Sequence, residues 1–182
     1  MNSARTSTLA TLRGTIGRLE GEPDGLARVG LGHASVDAVL QGGLVRGALH
    51  EVFAEGGRHG AAATGFIAGL AHRLIGRRPL IWVQQDFAQR ESGTLSMSGL
   101  NELGLDPRLL VTVRTKDAET ALRAASDALA CDALGAVVLD VWGEVRALDL
   151  VASRRLTLAA RASHVACLVL RTAAMPSAST AE

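Results

Sequence analysis

Between Gln41 and Ala61 the chain runs QGGLVRGALHEVFAEGGRHGA: a glycine turn, an apolar stretch, and a second glycine cluster leading into a helix. That order constrains the fold more than any other segment. Paired glycines take the φ values that end one element, and the apolar run after them extends as a strand. The strand is expected at Ala48 to Phe53 and the helix from about Ala61 to Ile75. A Gly-rich loop before a helix N-terminus is where phosphate is bound, because the first N–H groups of the helix point at an anion. The pattern G-x-x-x-x-G-K-[ST] also needs an ammonium on the β/γ-phosphates and a hydroxyl on Mg²⁺. After Gly60 this chain offers Ala61, Ala62 and Ala63, and its only lysine is Lys116. Two readings stand for Ala54, Gly56, Gly57, Arg58, His59, Gly60 and Ala61. They form either a strand-to-helix turn that keeps glycine for its backbone, or an altered anion site served by Arg58 and His59.

The rest of the chain alternates short helices and strands. A helix at Ser35 to Leu40 starts at a serine cap and stops at Gly42-Gly43. Strands follow at Leu80 to Gln84, Leu109 to Arg114, Ala136 to Val141 and Val165 to Leu170, with helices at Ala118 to Ala130 and Leu148 to Ala162. Phe87 to Pro107 reads as a looser stretch with one helical turn near Gly99 to Leu103. Five strands alternating with helices at this spacing predict an α/β fold: a mainly parallel sheet in a three-layer core. The core is expected over residues 31–172, with an N-terminal helix and linker over 1–30 and a flexible tail, or truncation point, at 173–182. In the first segment Leu9, Leu12, Ile16 and Leu19 draw one stripe down an amphipathic helix. That helix either folds back as a cover or serves as a partner-binding arm.

Composition removes several function classes. The net charge of +1 argues for no global nucleic-acid or membrane surface, and no segment reaches the length of an apolar membrane span. Cys131 and Cys167 stand alone in apolar surroundings and are expected as buried, reduced thiols. His33, His50, His59, His72 and His164 have no partners at metal-ligand spacing, so no metal site is expected. No G-x-S-x-G elbow is present, and the arginine pairs at Arg77-Arg78 and Arg154-Arg155 lack the interleaved aromatics of a single-strand platform.

Two further positions could carry chemistry. Asp140 ends the apolar run AVVLD, as a Mg²⁺-coordinating aspartate would. Gln84-Gln85-Asp86 follows the second strand of the series, where a carboxylate would activate water, but glutamine cannot act as a general base.

With Gly42-Gly43-Leu44, Gly47 and Glu51 ahead of the glycine cluster, the segment resembles the approach to a RecA-type ATPase core. The resemblance puts Gly60 at the P-loop lysine, Ala61 at the threonine, Ala54 at the first glycine and Gln85 at the catalytic glutamate. Only Asp140 is retained, at the Walker-B aspartate. Within that superfamily the chain is similar to the ImuA family. The similarity rests on LGHASVDAVLQGGLVRGALHE over Leu31 to Glu51, IWVQQD over Ile81 to Asp86, and GLDPRLL over Gly104 to Leu110. Members usually continue beyond the last strand found here.

The resemblance implies a catalytically silent accessory protein of SOS-induced translesion synthesis, without cofactor, working in the cytoplasm and at the nucleoid of damaged cells. Implied partners are ImuB, RecA and the error-prone DnaE-type polymerase, with DNA contacted at most weakly and self-association possible through the Leu9–Leu19 stripe. Trp142 to Asp149 does not resemble a DNA-binding loop, and Trp142 is expected as a core or interface aromatic. Two alternatives stay open: a weak ATPase or nucleotide switch using Arg58, His59 and Asp140, and a SulA-like inhibitor of cell division.

Overall fold

A computed structural model describes residues 27–182, so the stripe at Leu9, Leu12, Ile16 and Leu19 lies outside the described residues. The described chain opens with β1 (Arg28–Val29), α1 (Ala34–Val39) and β2 (Leu44–Val45), the two strands pairing antiparallel. The connection is held from within. Asp37 accepts from the Leu31 and Gly32 N–H groups at 2.6 and 3.1 Å, and Gly43, at φ 112°, approaches so closely that a Cβ there would lie 2.1 Å from the Val29 carbonyl oxygen. The helix cap differs from expectation. His33 occupies the N-cap without a side-chain bond to the helix, and the hydroxyl of Ser35, already in the first turn, pairs with His33 Nδ1 at 3.0 Å.

The main body then runs β3 (Leu49–Ala54), α2 (Gly57–Ile75), β4 (Leu80–Gln85), α3 (Asp86–Ser92), α4 (Met97–Glu102), β5 (Leu110–Thr115), α5 (Ala118–Leu129), β6 (Ala136–Trp142), α6 (Leu150–Ser163) and β7 (Ala166–Thr172). The five strands form one fully parallel sheet in the order β3-β7-β6-β4-β5. Connections step toward β5 and then back again. With right-handed crossovers, those two directions place their helices on opposite faces.

The packing follows that rule. Ile67, Leu70 and Leu74 of α2 cover Trp82, Val138 and Leu168 on one face, while Ala121, Ala125 and Leu129 of α5 and Leu156 of α6 cover Val83, Leu139 and Val169 on the other. Burial on both faces is why β6 reads as an apolar run interrupted only by Asp140. Asp117 and Asp149 cap α5 and α6 by accepting from Thr120 N at 2.7 Å and Ala152 N at 2.8 Å.

Each strand of the five-stranded sheet lies within two residues of its expected span, whereas the β1–β2 pair was not expected. The structure differs from expectation in three other places. The Phe87–Pro107 stretch contains α3, α4 and a short 3₁₀ turn at Pro107–Leu109, where one helical turn was expected. Helix α2 starts at Gly57, a full turn before Ala61. Residues 173–182, expected as a flexible tail, run back along α6. Thr180 bonds Ser153 and Thr157, Glu182 N donates to Leu49 O at 3.0 Å, and Arg161 pairs with Glu182 at 3.0 Å. Small residues without periodicity lie flat against a helix, and their hydroxyls satisfy buried ones.

At Gly135 the chain passes so close to α2 that a Cβ would stand 2.6 Å from Ile75 Cα. Backbone cannot retreat as a side chain can. Gly135→Ala is therefore expected to cost about 1–3 kcal/mol through overpacking, seen as an earlier midpoint in urea denaturation with an unchanged slope.

Candidate functional site

The strand-to-helix junction of β3 and α2 is where a nucleotide phosphate would be held. It is much tighter than a phosphate-binding loop. Only Glu55 and Gly56 separate the two elements; Gly56, at φ 109°, turns the chain, and His59 N already donates to Gly56 O at 3.0 Å. Gly57, Arg58, His59 and Gly60, expected in a loop, form the first turn of the helix. The alanines that follow favour helix and draw the glycines in. Backbone N–H groups that would encircle a phosphate are thereby turned along the helix axis, and α2 has no side-chain cap.

At the lysine position Gly60 is buried, and a Cβ there would meet Ser92 Oγ at 3.4 Å and Thr172 Cγ2 at 4.0 Å. A side chain there would begin in ordinary van der Waals contact with the end of α3, so what sets this position apart is the absence of an ammonium. Ala61 is exposed and borders a cavity of about 230 Å³ lined by Thr64, Gln84, Ser92, Thr94 and Leu100. That lining contains hydroxyls, an amide and apolar groups but no cation. Arg58 and His59 are exposed on the first turn of α2, outside the cavity lining, and Ala54 is buried.

Asp140 is placed by strand alternation on the α2 face, with Ala136 and Val138. It is almost wholly buried, at 3% exposed. Gln84, its register partner on β4, donates from Nε2 to Oδ2 at 2.8 Å, and Trp82 Nε1 donates to the same oxygen at 3.4 Å. Burial pushes the carboxyl up from 3.8 to about 6, with the two donors only partly opposing the shift. A Mg²⁺ ligand needs an ionised, approachable oxygen. Here the carboxyl is almost wholly buried and its Oδ2 is taken by core donors.

The neighbouring candidates are also engaged. Gln85 accepts from Trp142 N at 3.4 Å, and Asp86 is paired with Arg114 at 2.9 Å. This lies at the C-terminal edge between β4 and β6, whose following connections leave on opposite faces, the crevice where open α/β sheets usually take their ligands. The Gln85 carboxamide spans it. Trp142 is half-buried beside it.

A second cluster, formed by residues distant in sequence, lies on the α6 face at the same edge. Arg171, inside β7, is 2% exposed and pairs with Glu51 of β3 at 3.6 Å, stacks over the Phe53 ring at 5.0 Å, and donates to Ser177 Oγ at 2.9 Å. An arginine within the apolar run ACLVLRT was the available signal, since a buried guanidinium requires an acid. The cysteines divide. Cys131 is exposed, contrary to expectation, because it follows the end of α5. Cys167 is buried, its thiol pushed up to about 12 by desolvation and by nearby Glu51. Among the described residues no cluster of His, Cys, Asp and Glu could hold a metal ion, and no helix is long and apolar enough to cross a membrane.

The motif blocks have structural duties. Asp37 and Gly43 fix the β1–β2 connection, Gly104, at φ 89°, sits against His72, Leu105 is fully buried, and Asp106 caps the 3₁₀ turn by accepting from Arg108 N at 2.9 Å.

No protein-family model matches the chain, and no curated protein is detectably similar to it in sequence. Among solved structures 235 chains are similar, so the architecture is widespread and does not by itself select a function. One of them is the crystal structure of SulA from Pseudomonas aeruginosa, 20% identical, covering 68% of this chain and 97% of that chain with a TM-score of 0.51. At that identity the likeness is one of fold.

Proposed function

We propose that this chain is a non-catalytic RecA-like accessory protein of SOS-induced translesion DNA synthesis, an ImuA-type protein acting through contacts with ImuB, RecA and the error-prone DnaE-type polymerase. The observation that carries the non-catalytic part is the tight β3–α2 junction, where Gly57 to Gly60 form helix in place of a phosphate-binding loop and Gly60 brings no ammonium. Without an ammonium, a hydroxyl at Ala61 or a carboxylate at Gln85, nothing supports γ-phosphate transfer. The pathway rests on the blocks at Leu31–Glu51, Ile81–Asp86 and Gly104–Leu110.

A weak ATPase would have to recruit Asp140, which Gln84 and Trp82 already hold. Calorimetric titration with Mg²⁺-ATP is accordingly expected to be silent; saturable binding would remove the non-catalytic reading. Capture from damaged cells should retrieve ImuB or RecA. Leu12→Asp with Ile16→Asp is expected to abolish RecA capture or self-association while leaving the melting temperature of the core unchanged. Retained capture would remove the arm from the reading.

The likeness to SulA favours a second reading, a SulA-like inhibitor of cell division. Capture of the division tubulin homologue in place of ImuB and RecA would select it.

A further inference from the structure

We propose that the groove between α5 and α6 is a docking site for an acidic amphipathic segment of a partner protein. The groove is a cavity of about 340 Å³ on the helical layer opposite α2. Half-buried Leu122 supplies apolar surface above the buried Leu156, Ser126 and Ala152 are too small to fill the groove, and Arg123 and Arg155 stand on its two walls. Both arginines are exposed, and among the described residues neither forms an ion pair. Glu119 is the one acid in the lining. The cap acids Asp117 and Asp149 accept from the N–H groups of Thr120 and Ala152, and Asp117 also lies within electrostatic reach of Arg123 without forming an ion pair with it.

The apolar surface continues beyond the groove. Val151 and Leu158 of α6 are 57% and 55% exposed and share a helical stripe with Arg155, while Arg154 lies beside it. An apolar stripe bordered by guanidiniums matches a helix with leucine-like anchors at i, i+3, i+4 and i+7 and carboxylates along its margins. Charge selects the occupant. This chain's own amphipathic stripe, Leu9 to Leu19, carries Arg13 and Arg18 and no acid, so the groove's arginines would repel it. A nucleic acid would gain phosphate contacts but find no aromatic platform in the lining.

The inference deepens the contact-based reading above by naming a surface. Its test uses no pathway protein, so either idea can fail alone. The probe is a fluorescein-labelled helical peptide with leucine at i, i+3, i+4 and i+7 and glutamate elsewhere, titrated into the full chain and followed by anisotropy. Saturable binding is expected, weakened about tenfold or more by Arg123→Glu with Arg155→Glu and by raising salt from about 50 to about 500 mM. The lysine counterpart of the peptide should prefer the charge-reversed variant. If that variant melts early, Arg123→Gln with Arg155→Gln gives the same comparison. Absence of binding, equal binding of the lysine peptide, or unchanged affinity in the folded variant overturns the proposal. Tighter peptide binding by Leu12→Asp with Ile16→Asp would assign the groove to the chain's own arm. A single-stranded oligonucleotide that loses affinity in the arginine variants while the peptide does not would assign it to nucleic acid.

Discussion

Replacing Glu51 by alanine is expected to destabilise the folded chain by about 3–5 kcal/mol, because Arg171 would remain charged, buried and without its acid. The pair is almost wholly enclosed, with side chains 2% and 7% exposed, and Arg171 Nε has no partner among the described residues even in the intact protein. For a domain of this size the loss corresponds to a fall in Tm on the order of 10 °C. Glu144, 4.0 Å from Arg171 and mostly exposed, is too weak a substitute. Removing both charges gives a different result. Glu51→Leu with Arg171→Met should return to within about 1–2 kcal/mol of the parent, since a packed apolar pair needs no compensation for lost hydration. Calorimetric melting of the single and double variants checks both. A single variant as stable as the parent would mean that water reaches the guanidinium.

Asp140→Asn is expected to stabilise the protein at about pH 8, by about 3 kcal/mol, and to change little at about pH 4. The folded-state value of about 6 lies above the ordinary 3.8, so the native state holds this proton more tightly than the unfolded chain does. That contribution is complete below about pH 4 and is lost as the pH rises through about 6, where the buried carboxyl must ionise. Asparagine keeps an acceptor for Gln84 and Trp82 and never carries the charge. Urea denaturation of both proteins across that pH window reads the difference directly. An unchanged or lowered stability at about pH 8 would place the carboxylate in a solvated or cation-ready setting, and would reopen the nucleotide switch.

Much of the fold was legible because its strands are buried on both faces, so that runs such as Ala136 to Val141 stand out without any partner being known. The start of α2 was not. Gly56, Gly57 and Gly60 favour a loop by propensity, and the helix-favouring alanines that follow draw Gly57 and Gly60 into the first turn. The short helix α3 was obscured for a related reason, since it is too short to display a period, whereas α4 lies within two residues of the turn expected near Gly99 to Leu103. At the site, the missing lysine and hydroxyl could be read from position alone. The engagement of Asp140 by Gln84 could not, because it depends on the register of two strands far apart in sequence. The Glu51–Arg171 pair needed β3 beside β7, the first and last strands of the sheet in chain order.

The two indoles of the chain fall in contrasting surroundings: Trp82 is fully enclosed beneath α2, and Trp142 is half-buried where Gln85 bridges β4 and β6. With no tyrosine in the sequence, the chain's ultraviolet emission belongs to those two residues. One component is therefore shielded from aqueous quenchers and reports on the integrity of the interior, while the other senses whatever approaches the open edge of the sheet. The protein carries its own optical probe at the crevice where ligands of such sheets are usually received.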